Sequence, residues 1–473
     1  MIFIIFTPRI NLIKKHTPIK PNKALFGAFV ISVTLIIGAC QQTELSDSAP
    51  TPSLPAPAAE FVANDSDLSA GDAAAVARIF RNGNRPTRAG SGAVVRNVVT
   101  IRDAAGRPAI YAVNLQEGYL LVSATKRCYP ILAQIDRGTF TLDREPSGLD
   151  VVLQEMTETI EAARDSTAVF DCRSAWLPYE ERTRPERVQT RALSDEFYAM
   201  QDEWFQKWYD EGADTYFLYK RPENLPEDIY QRFCETAEGD DAWDETEYDC
   251  MNTAVITEKY IEEIHPDGPF IQSEWDQYGP YNEYVGQNRP LGCVTIAVGQ
   301  LMRYYQHPAS FNWSDMPYHG TTSTLSSFLA QLRTELKVTD DGNSSINEAQ
   351  RVLTNYGYNC TKINHNESAV KTSLRNRNPV YTRGYDNIAQ EGHAWIIDGY
   401  KLVYAYTEYK LYTANSSHTA YNEMDSHRVY HATNGYFHIN WGWGGTHNAW
   451  TIESLMAHNY TSSRQDIIIN SYY

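Results

Sequence analysis

Between Gly292 and Pro308 the chain carries Val294, Ala297, Val298, Leu301, Met302 and Tyr305 at three- and four-residue steps, the spacing of one buried helix face. This places Cys293 at the helix start. The unpaired N–H groups and positive dipole end of a first turn favour ionisation of a thiol there and make it a better nucleophile. The preceding Gly292 has no side chain and leaves room for a substrate backbone. The same residues also describe a small buried cysteine capping a core helix. The rest of the chain has to decide between the two.

The N-terminus sets the compartment. Lys14, Lys15, Lys20 and Lys23 precede an apolar run over 24–39 and then Cys40, the charged region and hydrophobic core of an export signal. Ile37-Gly38-Ala39-Cys40 resembles a bacterial lipoprotein box, so 1–39 reads as a lipoprotein signal peptide and Cys40 as the lipidated first residue of the mature chain. An uncleaved anchor is the alternative, although the run falls short of the roughly 20 residues of a spanning helix. Either reading puts the bulk of the chain outside the cytoplasm, as an outer-membrane lipoprotein of the cell envelope or secreted after processing. A net charge of -18 without a basic patch excludes general nucleic-acid binding. Setting Cys40 and Cys293 aside, Cys128, Cys172, Cys234, Cys250 and Cys360 remain, an odd set whose pairing the sequence leaves open.

Composition divides the chain beyond Cys40. Residues 40–67, rich in Ser, Pro and Ala, lack the apolar content to order themselves and read as a flexible tether. Residues 68–194 read as a small α+β domain, with a helix near Ala73–Phe80, strands at Ile110–Asn114 and Tyr119–Ser123, and a helix carrying Leu149, Val152, Leu153, Met156 and Ile160. It contains no nucleophile–base set and ends in a charged, proline-interrupted linker near 180–194, suited to proteolytic processing. Residues 195–264 form an insert with an aromatic amphipathic helix at Phe197–Trp208 and an acidic loop between Cys234 and Cys250. Because the Asp/Asn/Gly pattern of a calcium loop is missing, no metal site is assigned there. From 265 to 473 the pattern is strand- and turn-rich apart from the Cys293 helix and a helix near Leu325–Leu336. Candidate strands are Pro379–Arg383, Ala394–Tyr400, Lys410–Tyr412, Tyr436–Asn440 and Asp466–Asn470.

A thiol nucleophile needs a base, a group that orients the base, and donors for an oxyanion. His393 lies at the beginning of an apolar strand, from which an imidazole can reach across to a helix in the facing layer. Gly392 before it is assigned to substrate binding. Asn440 can accept from the imidazole N–H, and Trp441 can shield that bond from water. Gln277, upstream of the cysteine, can join the Cys293 N–H in an oxyanion hole.

Taken in order, Trp275-Asp276-Gln277 with Pro280-Tyr281-Asn282, Gly292-Cys293-Val294 with Gln300–Tyr304 and His307-Pro308, Asn312–Pro317, Gly392-His393-Ala394 with Ile397-Asp398-Gly399, and Phe437–Gly445 resemble the streptopain family of papain-like cysteine peptidases. Ile110–Ala124 and Pro130–Ala133 resemble that family's propeptide. The resemblance implies an α+β, papain-like cysteine peptidase fold, in which a central helix bearing Cys293 packs on an antiparallel sheet, preceded by a small α+β propeptide domain. It implies a zymogen whose own propeptide is an intramolecular inhibitor and whose substrates are proteins or peptides, with no cofactor. By motif position Cys293 is the nucleophile, His393 the general base, Gln277 an oxyanion donor, and Asn440 with Trp441 the support of the histidine. Thr446-His447-Asn448-Ala449-Trp450 departs from the family pattern, and the 195–264 insert has no counterpart in it. These departures motivate the alternative of a catalytically silent surface adhesion or inhibitory module on the same fold.

Overall fold

Alternation of apolar side chains along extended segments builds one large antiparallel sheet, and the helices cover its faces. The structure is a computed structural model, described for residues 67–82, 93–143, 148–165, 172–179, 195–211, 213–217, 225–238, 253–286, 289–386, 391–415, 417, 419–452 and 464–473. The expected signal peptide, the lipidation site Cys40, the linker at 180–194 and Cys250 lie outside the described residues.

The first part of the chain runs α1 (Ala70–Asn82), β1 (Val95–Arg102), β2 (Pro108–Leu115), β3 (Tyr119–Ser123), β4 (Ile131–Ile135), α2 (Gly148–Asp165) and α3 (Arg173–Trp176). Next come α4 (Asp195–Asp210), β5 (Asp214–Phe217), α5 (Glu227–Glu238) and β6 (Thr253–Asp267). The remainder is α6 (Cys293–Tyr305), α7 (Ser323–Glu335), α8 (Ile346–Asn355), β7 (Tyr358–Asn364), α9 (Glu367–Arg375), β8 (Val380–Asp386), β9 (Glu391–Ala414), β10 (Tyr421–Asn440), β11 (Ala449–Ile452) and β12 (Gln465–Tyr472).

Among the described residues the sheet order is β1-β2-β3-β4-β11-β10-β9-β8-β12-β7, with β6 and β5 laid along β9. The join between β4 and β11 pairs Gln134 with Trp450 and Ala133 with Thr451, so the N-terminal meander continues directly into the C-terminal sheet. Two cores result. On one face Ala394 and Ile396 of β9 pack with Val298, Leu301 and Met302 of α6 and with Leu329 of α7. The three α6 residues are fully buried, each worth about 1.5–3 kcal/mol relative to exposure. The alternate residues Trp395 and Ile397 face the other way, into a core shared with Leu121, Ile131 and Trp450. The mixed α+β class and the antiparallel sheet are as expected from sequence.

Three local expectations change. The strands expected at Ala394–Tyr400 and Lys410–Tyr412 are one continuous β9, whose first part pairs with β8 and whose later part pairs with β6. The insert, unplaced by sequence, builds on that extension. α4 covers one face, its Phe197 and Trp208 packing on Tyr421 of β10, and α5 covers the other, its Ile229 and Phe233 packing on Leu411 of β9. The helices α8 and α9 stand where strands and turns were expected. They are capped by Ser345, which accepts from Glu348 N at 3.2 Å, and by Asn366, which accepts from Ala369 N at 2.9 Å. Among the described residues no helix is long and apolar enough to cross a membrane.

Candidate active site

Cys293 is the first residue of α6, and Gly292 before it has φ 87°. A side chain at Gly292 would begin 2.5 Å from the carbonyl oxygen of Gly342, so glycine is required for the turn that delivers the cysteine. The thiol is enclosed between α6 and the sheet. Burial raises its pKa above the ordinary value, and hydrogen bonds from Ala394 N–H and Val294 N–H and the charge of Arg383 oppose the rise. This corrects the expectation that the helix start would ionise the thiol. The N–H groups favour the thiolate, but desolvation between α6 and the sheet outweighs them.

The strand register explains those neighbours. Arg383 of β8 lies opposite Ala394 of β9, and Tyr381 lies opposite Ile396, all on the α6 side of the sheet. Tyr381 is fully buried and its hydroxyl has no hydrogen-bond partner. Neither Tyr381 nor Arg383 was singled out from sequence, and only the β8–β9 register brings them to the thiol.

His393 precedes Ala394 and shares the face of Trp395. Its ring lies 4.6 Å from that of Trp443, and 6.0 Å from those of Trp395 and Trp441. Nε2 is buried without a hydrogen bond. This apolar enclosure lowers the imidazole pKa to about 4, with the Trp441 backbone acting weakly in the opposite direction. The structure therefore sets the thiol beside the backbone of the residue after His393, and the imidazole makes no hydrogen bond to the sulfur.

Near pH 6 the depressed imidazole is neutral and the raised thiol protonated, so the chain as folded here holds no thiolate–imidazolium pair. Iodoacetamide should accordingly alkylate Cys293 in the unprocessed chain slowly at about pH 6, and the rate should rise only above the ordinary thiol range. Fast labelling of the unprocessed chain under those mildly acidic conditions would contradict this geometry.

The other expected residues divide. Gln277 belongs to the loop leading to the cysteine, its carbonyl accepting from Leu291 N at 2.8 Å. Trp441 is buried against Trp395 and stacks on Trp443 at 5.8 Å, with its ring 6.0 Å from that of His393. Gly392 pairs with Tyr385 at the open end of β9. Asn440 is a correction. Its Oδ1 accepts from Gln300 Nε2 at 3.0 Å and Gly442 N at 3.1 Å, and its Nδ2 donates to Ser273 O at 3.1 Å. With its amide committed in this way it does not orient His393. Gln300, fully buried on α6, completes the brace by accepting from Trp275 N at 3.1 Å. The asparagine thus fixes the Gln277 loop to α6 and β10.

The N-terminal domain packs on the side of the sheet that carries Trp395 and Trp450. Besides the β4–β11 pairing, Tyr436 donates to Ile131 O at 2.9 Å, and the buried Lys401 donates to Gln134 at 2.9 Å and to Glu263 at 2.6 Å. Tyr119 and His447 Nδ1 are 2.9 Å apart, so the loop that departs from the family pattern is one that receives the N-terminal domain.

Two family models match. The Peptidase C10 family covers residues 275–338 and 310–451, and the Spi protease inhibitor covers residues 65–160. The chain is similar to the thiol protease/hemagglutinin PrtT of Porphyromonas gingivalis, at 24% identity over 39% of this chain and 23% of that protein. It is also similar to streptopain of Streptococcus pyogenes, at 22% identity over 41% of this chain and 62% of that protein. The matches thus span less than two thirds of either relative. Among solved structures, a fragment of Prevotella intermedia prointerpain A aligns with TM-score 0.40 and 11% identity, covering 78% of this chain and 97% of that one. The chain belongs to the streptopain family of papain-like cysteine peptidases, with an inhibitor-type propeptide domain ahead of the peptidase domain.

Proposed function

We propose that this chain is the zymogen of a cysteine endopeptidase, exported and held at the cell envelope through lipidated Cys40. In this reading residues 68–194 form the inhibitory propeptide, 180–194 hold the processing bond, 195–264 are an insert, and 265–473 are the peptidase domain. The observation that carries it is the thiol of Cys293, at a helix start, receiving the N–H of the residue after His393.

Catalysis would begin when His393 takes the thiol proton and the sulfur attacks the scissile carbonyl. The backbone N–H of Cys293 and the Gln277 amide would hold the oxyanion. Collapse would expel the amine, protonated by His393, and leave a thioester. Water, deprotonated by the same imidazole, would then release the acid and restore the thiol. The Spi-type domain at 65–160, joined to the C-terminal sheet through the β4–β11 pairing, supports latency before processing.

One observation favours a silent module on the same fold: the imidazole Nε2 makes no hydrogen bond. Incubation with an unfolded protein under reducing conditions separates the two. New N-termini in the substrate are expected of a zymogen that matures, and an intact substrate is expected of a silent module.

A further inference from the structure

The segment before Gln277 is extended, and Trp275 points into the core, donating Nε1–H to Pro317 O at 2.8 Å. Glu274 and Asp276 therefore share the opposite side. Both lie against the turn after Trp443, the tryptophan packed on His393. A side chain at Gly444 would begin 3.3 Å from Asp276 Oδ2. One at Gly445, where φ is +74°, would begin 2.4 Å from the Glu274 carboxyl carbon. Only glycine lets that carboxylate sit there.

Glu274 is already occupied by a cation from the inhibitory domain. Arg137, in the turn after β4, reaches Glu274 with both terminal nitrogens, Nη1 lying 3.4 Å from Oε2 and Nη2 bonding Oε1. His319 Nδ1 is 2.9 Å from Oε2. The Arg137 side chain is 71% exposed and the Glu274 side chain 14%, so a guanidinium reaches from solvent into a sheltered carboxylate.

We infer that Glu274, supported by Asp276, is a specificity residue that selects a substrate with an arginine or lysine side chain, and that Arg137 occupies this position in the zymogen. The inference rests on the peptidase reading above. Release of the inhibitory domain withdraws Arg137 and leaves two carboxylates beside the turn that packs on His393. A cationic substrate side chain replaces the lost charge, and the fork of an arginine matches a carboxylate best.

The test is a digest of an unfolded protein by enzyme matured from the full chain, with cleavage positions mapped by mass spectrometry. Wild type should show basic residues enriched at one fixed distance from the cleaved bonds. In Glu274→Gln the ratio of basic to neutral residues at that position should fall about two- to fivefold, the size of one partly exposed charge pair. Glu274→Asp should restore part of the ratio, which a general folding defect would not do, and Glu274→Lys should favour acidic residues instead. Cleavage without basic enrichment, or enrichment that survives in Glu274→Gln, overturns the inference and leaves the peptidase reading standing. No cleavage by wild type at all removes both.

Discussion

A Cys293→Ala chain is expected to lose hydrolysis of unfolded protein by at least about 10⁴-fold, because the proposed thioester forms on that sulfur. The fold should survive the change. Cys293 is a small side chain at the first position of α6, and the helix is held by Val294, Ile296, Val298, Leu301 and Met302, all buried against the sheet and α7. Unfolding by urea should therefore shift by no more than about 1 kcal/mol, the range of a modest truncation. His393→Ala should cost a similar factor, and the double variant little more, since nucleophile and base act as a unit. Rates on a labelled unfolded protein, measured beside unfolding curves, check both halves. Retained turnover in Cys293→Ala would remove the proposed nucleophile.

Asp398→Ala is expected to destabilise the protein by about 3–5 kcal/mol, the cost of leaving the partner of a buried ion pair or charged hydrogen bond unmatched. Asp398 is fully buried on β9. Its Oδ1 meets His438 Nδ1 at 2.6 Å on β10, and its Oδ2 accepts from Ile271 N at 2.8 Å. Its backbone carbonyl also receives Phe270 N at 2.9 Å. One side chain thus joins the His393 strand, the strand leading to Asn440, and the segment leading to Gln277. Asp398→Asn preserves the shape and one acceptor, so it should cost clearly less than the alanine. Equilibrium urea unfolding measures the difference, and a loss below about 1 kcal/mol in Asp398→Ala would contradict this role.

How much was legible in the sequence depended on the range of the interactions. The α6 helix was legible because Val294, Val298, Leu301 and Met302 repeat locally, and the tryptophans around His393 were visible in the run after Asn440. The α8 cap at Ser345 with Glu348 is equally local, but the apolar stripe of Ile346, Ala349, Val352 and Leu353 is too short to stand out from the strand- and turn-rich pattern around it. β9 read as fragments because polar residues such as Lys401, Glu408 and Lys410 interrupt its apolar pattern. In the fold their charges meet Glu263, Glu258 and Arg428 across the strands. Those partners lie far away in sequence or within the insert, whose pattern alone gave no place for β6.

The ionisation of Cys293 failed for a related reason. The helix start was legible, but the enclosure that outweighs it is assembled from β8, β9 and α6 together. Asn440 was identified as important, yet its partners Gln300 and Ser273 emerge only from the way α6 and the Gln277 loop meet β10. The role of His447 likewise required the inhibitory domain. A departure from the family pattern became a contact once Tyr119 was beside it.

The zymogen reading is tested most directly by N-terminal sequencing of the purified full chain after incubation under reducing conditions, wild type beside Cys293→Ala. In wild type a new N-terminus is expected within or close to 180–194, appearing together with activity on an unfolded protein, while the Cys293→Ala chain stays uncut. The same cleavage in both proteins, or a wild-type chain that stays intact and inert, would contradict it.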